Sequence, residues 1–382
     1  MRICLRLLGG DSWLGGVYYT QNLIRCLAAL PHDERARLHI TLQVPRGSEK
    51  HAEPVADLVE RVMVMGRFGR NLGAAGGWIT GRFRGRWASR FRSYDFVYPA
   101  SAQARGLSPG AGWIPDFQHR YLPELFSETE RSARDRAHLN IARSADRVVL
   151  SSRMAADDFT RFFPDWAHKA KVLRFTSVIE DEWLGIPPSS VVAAFELPSR
   201  FFLVSNQFWI HKNHRLVIEA AGECARRGDP VHVVFTGGFH DPRAHDYVGG
   251  LRKRIEELEL TRYMHIVGQI PRTDQIQLFR GCLAVIQPSK FEGWSTVIED
   301  ARALGKQVLM SKFPVHIEQA PPSGLYFDDD DQAELATLLV ERAHDPRPGH
   351  DAEAEAQAIA QNHAARARVA REFLALAEEC DS

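Results

Sequence analysis

The 382-residue sequence lacks the features that mark several classes of protein. Its five cysteines are odd in number, scattered and without a CxxC pair, so we expect reduced thiols in a cytosolic protein. No apolar run approaches the ~20 residues that span a bilayer, and the short run Met1–Leu8 favours a first strand over a signal peptide. Lysine plus arginine and aspartate plus glutamate both total 48, so the net charge gives no indication of nucleic-acid binding.

Composition and length indicate a globular chain with more than one core. Hydrophobic residues make up 45% and charged residues 25%, and the length suggests two domains. Strand-like apolar runs alternate with helical stretches, which predicts an α/β fold with a mainly parallel sheet. The expected strands are Ile3–Leu8, Leu38–Val44, Phe96–Tyr98, Arg147–Ser151, Phe201–Ser205, Val231–Thr236, His265–Val267, Ala284–Gln287 and Gln307–Ser311. The expected helices are Val17–Leu30, Glu130–Ala142, Arg153–Phe162, Asn213–Arg227, Asp246–Leu258, Thr273–Arg280 and Thr296–Leu304.

The two series of elements predict two Rossmann-like halves separated by a cleft, with ligands beyond the carboxyl ends of the strands. We expect an N-terminal domain over 1–184, a C-terminal domain over 185–349 and a terminal helix over 350–382 that packs back toward the N-terminal domain. Trp183–Pro198, rich in proline and serine, is the expected linker.

The segment from Glu292 to Lys306 suggests a ligand that carries both phosphate and sugar. A glycine-containing turn opens a helix there, and free N–H groups with the positive end of the helix dipole attract phosphate. The carboxylates at Glu292 and Asp300 can accept hydrogen bonds from hydroxyl groups. Ser295 or Thr296 is the expected N-cap, Thr296 with Glu299 has capping-box spacing, and Gly305 is expected to end the helix. An ordinary capped helix is the alternative, but it leaves the preceding Phe291–Trp294 unexplained.

A second segment, Ser205–His214, follows an apolar strand. Lys212 at the start of a helix suits a diphosphate as a compact positive charge. A solvated cap is the alternative, because Asn213 is itself a favourable N-cap residue. His211 and His214 lack a third ligand at suitable spacing, so we predict no metal site.

Two segments of the first half are weaker candidates. The glycine-rich loop Gly9–Gly16 permits close approach of a ligand, although it lacks the GxGxxG pattern of nicotinamide-binding proteins. His119 lies in a polar loop with Asp116, Gln118 and Arg120, and it could bind the transferred sugar or the acceptor. A flexible turn and an ordinary structural histidine are the respective alternatives.

Together these motifs resemble retaining nucleotide-sugar glycosyltransferases of family 4, which have the GT-B fold. The family's E-x7-E pattern falls on Glu292 and Asp300, with aspartate at the second position and Glu299 beside it. Lys212 falls on the family's phosphate-binding lysine, and Gln207 stands at about the position of its usual arginine. Gly15, Gly16 and His119 match the N-terminal glycine loop and the sugar-contacting histidine.

The resemblance implies roles for these residues. Glu292 would contact the donor sugar, the amides of Gly293, Trp294, Ser295 and Thr296 would contact sugar and diphosphate, and Asp300 or Glu299 would hold the ribose. It implies metal-independent sugar transfer with retention, without a cofactor, from a nucleoside-diphosphate sugar to a glycan or lipid-linked acceptor in polysaccharide or lipopolysaccharide synthesis. Mannose or a related hexose is the expected sugar. The acidic run Asp328–Asp331 is interpreted as a helix start or loop rather than a metal site.

A basic and aromatic stretch suggests that the acceptor is bound at a membrane surface. Between Arg61 and Arg92 there is no acidic residue, and basic and aromatic side chains favour contact with an anionic membrane. We therefore expect a cytoplasmic protein that is peripheral on the inner face of a membrane, with contact through Arg82, Arg84, Arg86, Trp87, Arg90 and Arg92. A solvated basic helix is the alternative, and the rest of the chain does not support a nucleic-acid partner.

Two other functions stay open at this point. A nucleotide-sugar epimerase of the same architecture would need no acceptor. A non-catalytic nucleotide-sugar-binding protein would fit the departures at Asp300 and Gln207.

Overall fold

Two compact units make up the chain. The computed structural model describes residues 1–11, 13–65, 93–100, 108–241, 243–244, 246–347 and 349–381. Unit 1 comprises Met1–Thr176 with Ala364–Ser382, and unit 2 comprises Ser177–His363. The predicted membrane-contact residues from 82 to 92 lie outside the described residues. No helix of the described part is long and apolar enough to cross a bilayer.

Unit 1 is built on parallel strands. The first four form a sheet in the order β3-β2-β1-β4, and the next three form a sheet in the order β5-β6-β7, with a bridge between Val97 and Gly110. The strands are β1 Arg2–Arg6, β2 His39–Pro45, β3 Arg61–Met65, β4 Phe96–Tyr98, β5 Ala111–Ile114, β6 Arg147–Leu150 and β7 Ala170–Val172. The helices are α1 Leu14–Ala28, α2 His32–Arg35, α3 Gln118–Tyr121, α4 Glu128–Ser144 and α5 Arg153–Phe162.

Unit 2 contains a six-stranded parallel sheet in the order β10-β9-β8-β11-β12-β13. Its strands are β8 Phe202–Ser205, β9 Val233–Thr236, β10 Met264–Gly268, β11 Val285–Gln287, β12 Val308–Ser311 and β13 Gly324–Phe327. Its helices are α6 Asp181–Leu184, α7 Pro188–Ala194, α8 His214–Arg226, α9 Tyr247–Glu257, α10 Arg272–Gly281, α11 Thr296–Ala303, α12 Pro314–Gln319 and α13 Gln332–His344. Counted within the unit, this is the doubly wound order 3-2-1-4-5-6, whose direction reverses between β8 and β11.

The apolar run Phe201–Val204 is buried on both sides of this sheet. Phe202 and Val204 pack in one cluster with residues of α8 and α13. Phe201 and Leu203 pack in the opposite cluster with residues of α10 and α11. Because successive side chains of a strand point to opposite faces, a strand covered by helices on both faces must be apolar throughout, which is why this strand was predictable.

The division of the chain differs from the boundary predicted at residue 184. The segment predicted as a linker, Trp183–Pro198, contains helix α7 and lies within unit 2. Gln277 of α10 donates to the Trp183 carbonyl, and Arg280 of α10 donates to the Ile186 carbonyl, at 2.8 and 2.7 Å. Val191 is buried in the core of unit 2. These contacts tie the segment to unit 2 although its composition resembles that of a linker.

The last helix, α14 Ala352–Asp381, is the long terminal helix that the sequence predicts. From Ala364 onward its residues belong to unit 1, where the Phe373 ring packs edge-on against the rings of Phe96 and Tyr98. Gly305, which follows α11, has φ +64°, and a Cβ there would lie 2.5 Å from the Ala354 carbonyl oxygen. Both observations explain a glycine at this position.

Candidate functional site

The switch point of the unit 2 sheet brings two polar loops together. Asn206 follows β8 and Gln287 ends β11, and the Asn206 amide donates to Gln287 Oε1 at 3.0 Å. Both residues are buried. In doubly wound sheets, the crevice at the switch point is where ligands bind. The loops that carry Lys212 and Glu292 continue from these two strands.

Lys212 and Glu292 form an ion pair at this point. Lys212 Nζ lies 2.5 Å from Glu292 Oε1, and the two side chains are 14% and 10% exposed. Gln287 Nε2 donates to the same oxygen at 2.8 Å. Among the residues that the structure describes, no group is bonded to Glu292 Oε2, so this oxygen can accept from a ligand hydroxyl. The structure thus brings together the two residues that the sequence selected from separate motifs.

Asp300 is held by an arginine that the sequence analysis missed. Arg272 Nη1 and Nη2 donate to Asp300 Oδ2 and Oδ1 at 2.8 and 2.5 Å, a bidentate pair that is almost wholly buried. Arg272 also donates to Gln275 Oε1, and Gln275 Nε2 donates to Ser205 Oγ at 2.6 Å. Asp300 is therefore linked through side chains to the carboxyl end of β8.

Glu299 faces a different partner. Its Oε1 accepts from Gln319 Nε2 at 3.0 Å, and burial raises the pKa of its carboxyl group. Gln319 also accepts from the Ser295 N–H and donates to the Ser295 carbonyl, each at 3.0 Å. Glu299 thus belongs to a buried network around the start of α11.

The start of α11 corrects the predicted capping box. Ser295 is the N-cap, and its Oγ accepts from the Ile298 N–H. Thr296 is the first residue of the helix, and Glu299 bonds to Gln319 rather than to the backbone of Thr296. The N–H of Ser295, one of the amides expected to bind the donor, already donates to Gln319 Oε1. The half-buried Gly293 and Trp294 lie in the loop between β11 and this cap.

The loop after β8 departs from the predicted cap as well. Asn213 precedes α8 with φ 56°, but its side chain donates to the Asp329 carbonyl at 2.8 Å and does not cap the helix. Gln207 is half-buried, and its carbonyl accepts from the Trp209 N–H at 2.7 Å. Arg243, nearby, is bound to Asp241 at 2.8 Å. In the acidic run, Asp331 caps α13, accepting from two backbone N–H groups.

The predicted glycines of unit 1 have a packing role in the structure. Gly15 and Gly16 lie in the first turn of α1, not in a loop before it. A Cβ on Gly16 would lie 3.0 Å from the Gly9 nitrogen and from the Trp13 ring, so its absence lets α1 pack against the loop after β1.

His119 is buried, with only 1% of its surface exposed. Its Nε2 lies 2.8 Å from Asp135 Oδ1, and its Nδ1 has no partner among the described residues. Beside it is a cavity of about 680 Å³ within unit 1. The cavity is lined by His119, Arg120, Pro123, Glu128, Arg131, Ser132, Asp135, Arg161 and Phe162.

Metal ligation is not evident in the described part of the chain, where no group of three or more His, Cys, Asp or Glu side chains could hold an ion. Burial lowers the pKa of His214 to about 3, and it lowers the pKa of His211 well below its ordinary value. Both histidines pack inside unit 2.

Comparison with known proteins agrees with this geometry. Residues 190–361 match the family described as glycosyl transferases group 1. A segment of the chain is 29% identical over 161 residues to an alpha-1,3/1,6-mannosyltransferase ALG2 of Yarrowia lipolytica, covering 41% of this chain and 34% of that protein. The mouse protein of the same name is 25% identical over 161 residues, covering 40% and 39%. The match therefore spans little more than a third of the length of these relatives.

Among solved structures, Anabaena Alr3699/HepE in complex with UDP and glucose has a TM-score of 0.68 at 19% identity, covering 99% of this chain and 98% of that chain. A glycosyltransferase from Rickettsia africae has a TM-score of 0.66 at 13% identity, covering 99% and 98%. At these identities the likeness concerns the fold. The match to the glycosyl transferases group 1 family therefore lies within unit 2, and the chain has the GT-B fold.

Proposed function

We propose that this protein transfers a hexose from a nucleoside-diphosphate sugar to a glycan or lipid-linked acceptor, with retention and without a metal ion. The observation that carries the proposal is the Lys212–Glu292 pair at the switch point of a family-matched domain. An ammonium group suits a diphosphate, and a carboxylate with one open oxygen suits a sugar hydroxyl. Their separation of 2.5 Å fits a ligand in which phosphate and sugar are adjacent.

In the proposed reaction, the acceptor hydroxyl attacks the anomeric carbon on the face from which the diphosphate leaves. The bond between that carbon and the diphosphate oxygen breaks, and the departing diphosphate takes the hydroxyl proton. Lys212 and the backbone N–H groups of Gly293 and Thr296 would stabilise the negative charge on the leaving group. Glu292 would orient the sugar, which is catalysis by positioning.

We assign the ribose hydroxyls to Asp300 rather than Glu299. Asp300 is linked through Arg272 and Gln275 to the carboxyl end of β8, where the nucleotide is expected. Glu299 is occupied by Gln319 inside the network that caps α11. A carboxylate that accepts from one guanidinium retains lone pairs for ribose hydroxyls.

The acceptor would bind in unit 1, and the cavity beside His119 is our candidate. The guanidinium groups of Arg120 and Arg161 both lie over the Phe162 ring, at 4.2 and 4.5 Å from its centroid. The guanidinium of Arg131 has no ion-pair partner among the described residues. A cavity of about 680 Å³ with such a group suits a glycan that carries an anionic substituent. The peripheral membrane contact through residues 82–92 remains a prediction, to be tested with anionic vesicles.

A donor panel tests the proposal. The purified protein is incubated with UDP- and GDP-sugars, with and without EDTA, and release of nucleoside diphosphate is measured. GDP-mannose and UDP-glucose head the panel, because the relatives include mannosyltransferases and a structure that holds UDP and glucose. We expect release to persist in EDTA, and Lys212→Met and Glu292→Ala to reduce it. An isomerised nucleotide sugar without release would indicate an epimerase, and binding without turnover would indicate a non-catalytic protein. The anomeric configuration of the product, read by NMR, tests retention.

A further inference from the structure

The Glu292 carboxylate is held by a neutral side chain as well as by Lys212. Both donors act on the same oxygen: Lys212 Nζ at 2.5 Å and Gln287 Nε2 at 2.8 Å reach Oε1. With Oε1 occupied twice, Oε2 is the oxygen available to a ligand. Fixing one oxygen therefore determines where the other one points.

Gln287 is itself fixed on all sides. It is fully buried at the end of β11, and its own Oε1 accepts from Asn206 Nδ2 at 3.0 Å. Its Nε2 donates to Ser289 Oγ at 3.0 Å in addition to Glu292. Because a carboxylate only accepts hydrogen bonds, the amide nitrogen must face Glu292, and this orientation agrees with the Asn206 contact.

Behind Ser289 the network continues into the core. Ser311 Oγ donates to the Ser289 carbonyl at 2.6 Å, and His316 Nδ1 lies 3.0 Å from both the Oγ and the carbonyl oxygen of Ser311. Each of these three residues is fully buried. The carbonyl contact requires a proton on Nδ1, and burial lowers the pKa of His316 to about 4, so His316 is a neutral donor toward Ser311. His316 Nε2 has no partner among the described residues, whereas the hydroxyls of Ser289 and Ser311 and the amide of Gln287 are all hydrogen-bonded. These bonds hold the Gln287 amide in one orientation.

Donor binding changes only one of the two contacts on Oε1. Under the proposed function, on which this inference rests, Lys212 turns to the diphosphate and releases Glu292. Gln287 carries no charge that a diphosphate would attract, and its other bonds lie inside the protein. It would keep Glu292 in place after Lys212 has left.

We propose that Gln287 is a positioning residue for Glu292, and that it holds Oε1 so that Oε2 meets a hydroxyl of the donor sugar throughout turnover. Gln287 would not touch the substrate. The nucleoside-diphosphate portion of the donor should not depend on it, whereas recognition of the sugar and the rate of transfer should.

The test is Gln287→Met, which keeps the length of the side chain and removes the amide. Gln277→Met is the matched control, since Gln277 is also fully buried and bonded through both amide atoms, but its partners, Trp183 and Arg280, are not residues of the site. We expect Gln287→Met to lower kcat/KM with the active donor by about tenfold or more, as misplacement of a catalytic group does. Affinity for the free nucleoside diphosphate should stay within about twofold, and Gln277→Met should affect only the melting temperature.

A double-mutant cycle separates positioning from general damage. In a Glu292→Ala background, adding Gln287→Met should change kcat/KM by less than about twofold, because a residue that acts through Glu292 has nothing left to position. Equal losses in both backgrounds, or equal effects of the two methionine variants, would overturn the proposal. Should Gln287→Met fail to fold, Gln287→Asn retains an amide that is too short to reach Glu292. The same result is then expected, a lower kcat/KM with an unchanged affinity for the nucleoside diphosphate. A wild-type protein that neither binds nor turns over any nucleotide sugar would overturn the proposed function and this inference together.

Discussion

Substituting the two neighbouring carboxylates of α11, Asp300 and Glu299, should lower the stability of the protein to very different extents. Asp300→Asn keeps the size of the side chain but removes the charge that pairs with Arg272 in a site where the two side chains are 2% and 15% exposed. Removing one partner of a buried ion pair typically costs about 3–5 kcal/mol, because the other charge is left uncompensated. This is a large fraction of the roughly 5–15 kcal/mol by which domains are stable.

Glu299→Gln should cost less than about 1 kcal/mol. The new amide oxygen can still accept from Gln319 Nε2, and burial raises the pKa of the Glu299 carboxyl, so the fold does not stabilise the charge that the substitution removes. Arg302, at 3.5 Å, is a partly exposed partner of small value. The contrast between the two variants therefore follows from burial and partners, not from residue type.

Urea unfolding measures the stability change, and calorimetric titration with UDP and GDP measures nucleotide affinity. The double variant Arg272→Met/Asp300→Leu separates the two quantities, because replacing a buried pair with apolar side chains often restores stability. We expect it to regain stability and to remain defective in nucleotide binding. If Asp300→Asn unfolds within 1 kcal/mol of wild type, or if Glu299→Gln loses nucleotide affinity instead, our assignment of the two carboxylates is refuted.

Three further predictions concern stability and the acceptor. Burial lowers the pKa of three histidines of unit 2. The pKa of His316 falls to about 4, that of His214 falls to about 3, and that of His211 lies well below its ordinary value. In the unfolded chain these histidines take up a proton near pH 6.5, whereas in the folded unit they stay neutral. The free energy of unfolding should therefore be highest above pH 6.5 and fall between pH 7 and 5 by up to about 2 kcal/mol per histidine. A melting temperature that does not change over this range would contradict the prediction. Gly305→Ala should destabilise unit 2 by at least about 1–2 kcal/mol in urea unfolding, since φ is +64° and a Cβ would contact the Ala354 carbonyl. Arg131→Gln should raise KM for an anionic acceptor several-fold without changing KM for the donor, and equal changes in both would remove the cavity from the proposal.

Four strands were missed by the sequence analysis: β3, β5, β7 and β13. The strand β5 is short and buried, and the other three, β3, β7 and β13, lie at sheet edges. Their side chains are partly exposed, as with Val62 and Val64 of β3 and Leu325 of β13. An edge strand lacks the continuous apolar run that burial on both faces imposes, so hydrophobicity alone does not distinguish it from a loop.

The residues of the candidate site could also be predicted only in part from the sequence. Lys212 and Glu292 could be selected because local motifs surround them, but Arg272 and Gln319 act on α11 from distant positions in the chain. Only the fold places them there. Gln287 did have a signal that could have been used: it is a polar residue at the end of the apolar strand Val285–Gln287, and a buried amide in such a place needs a partner.

The pairing of charges in the free site bears on which ligand it favours. Lys212 is balanced by Glu292 and Arg272 by Asp300, and Gln207 is neutral where the resemblance leads one to expect an arginine. A nucleoside diphosphate alone would attract Lys212 and leave Glu292 with only Gln287 as a hydrogen-bond donor. Its binding would therefore be weakened by the free energy of the lost ion pair. Under the proposed function, an intact donor would compensate, because its sugar hydroxyls can donate to the carboxylate that Lys212 releases. The same pair would then favour the nucleotide sugar over the nucleotide product, and it would re-form as the product leaves.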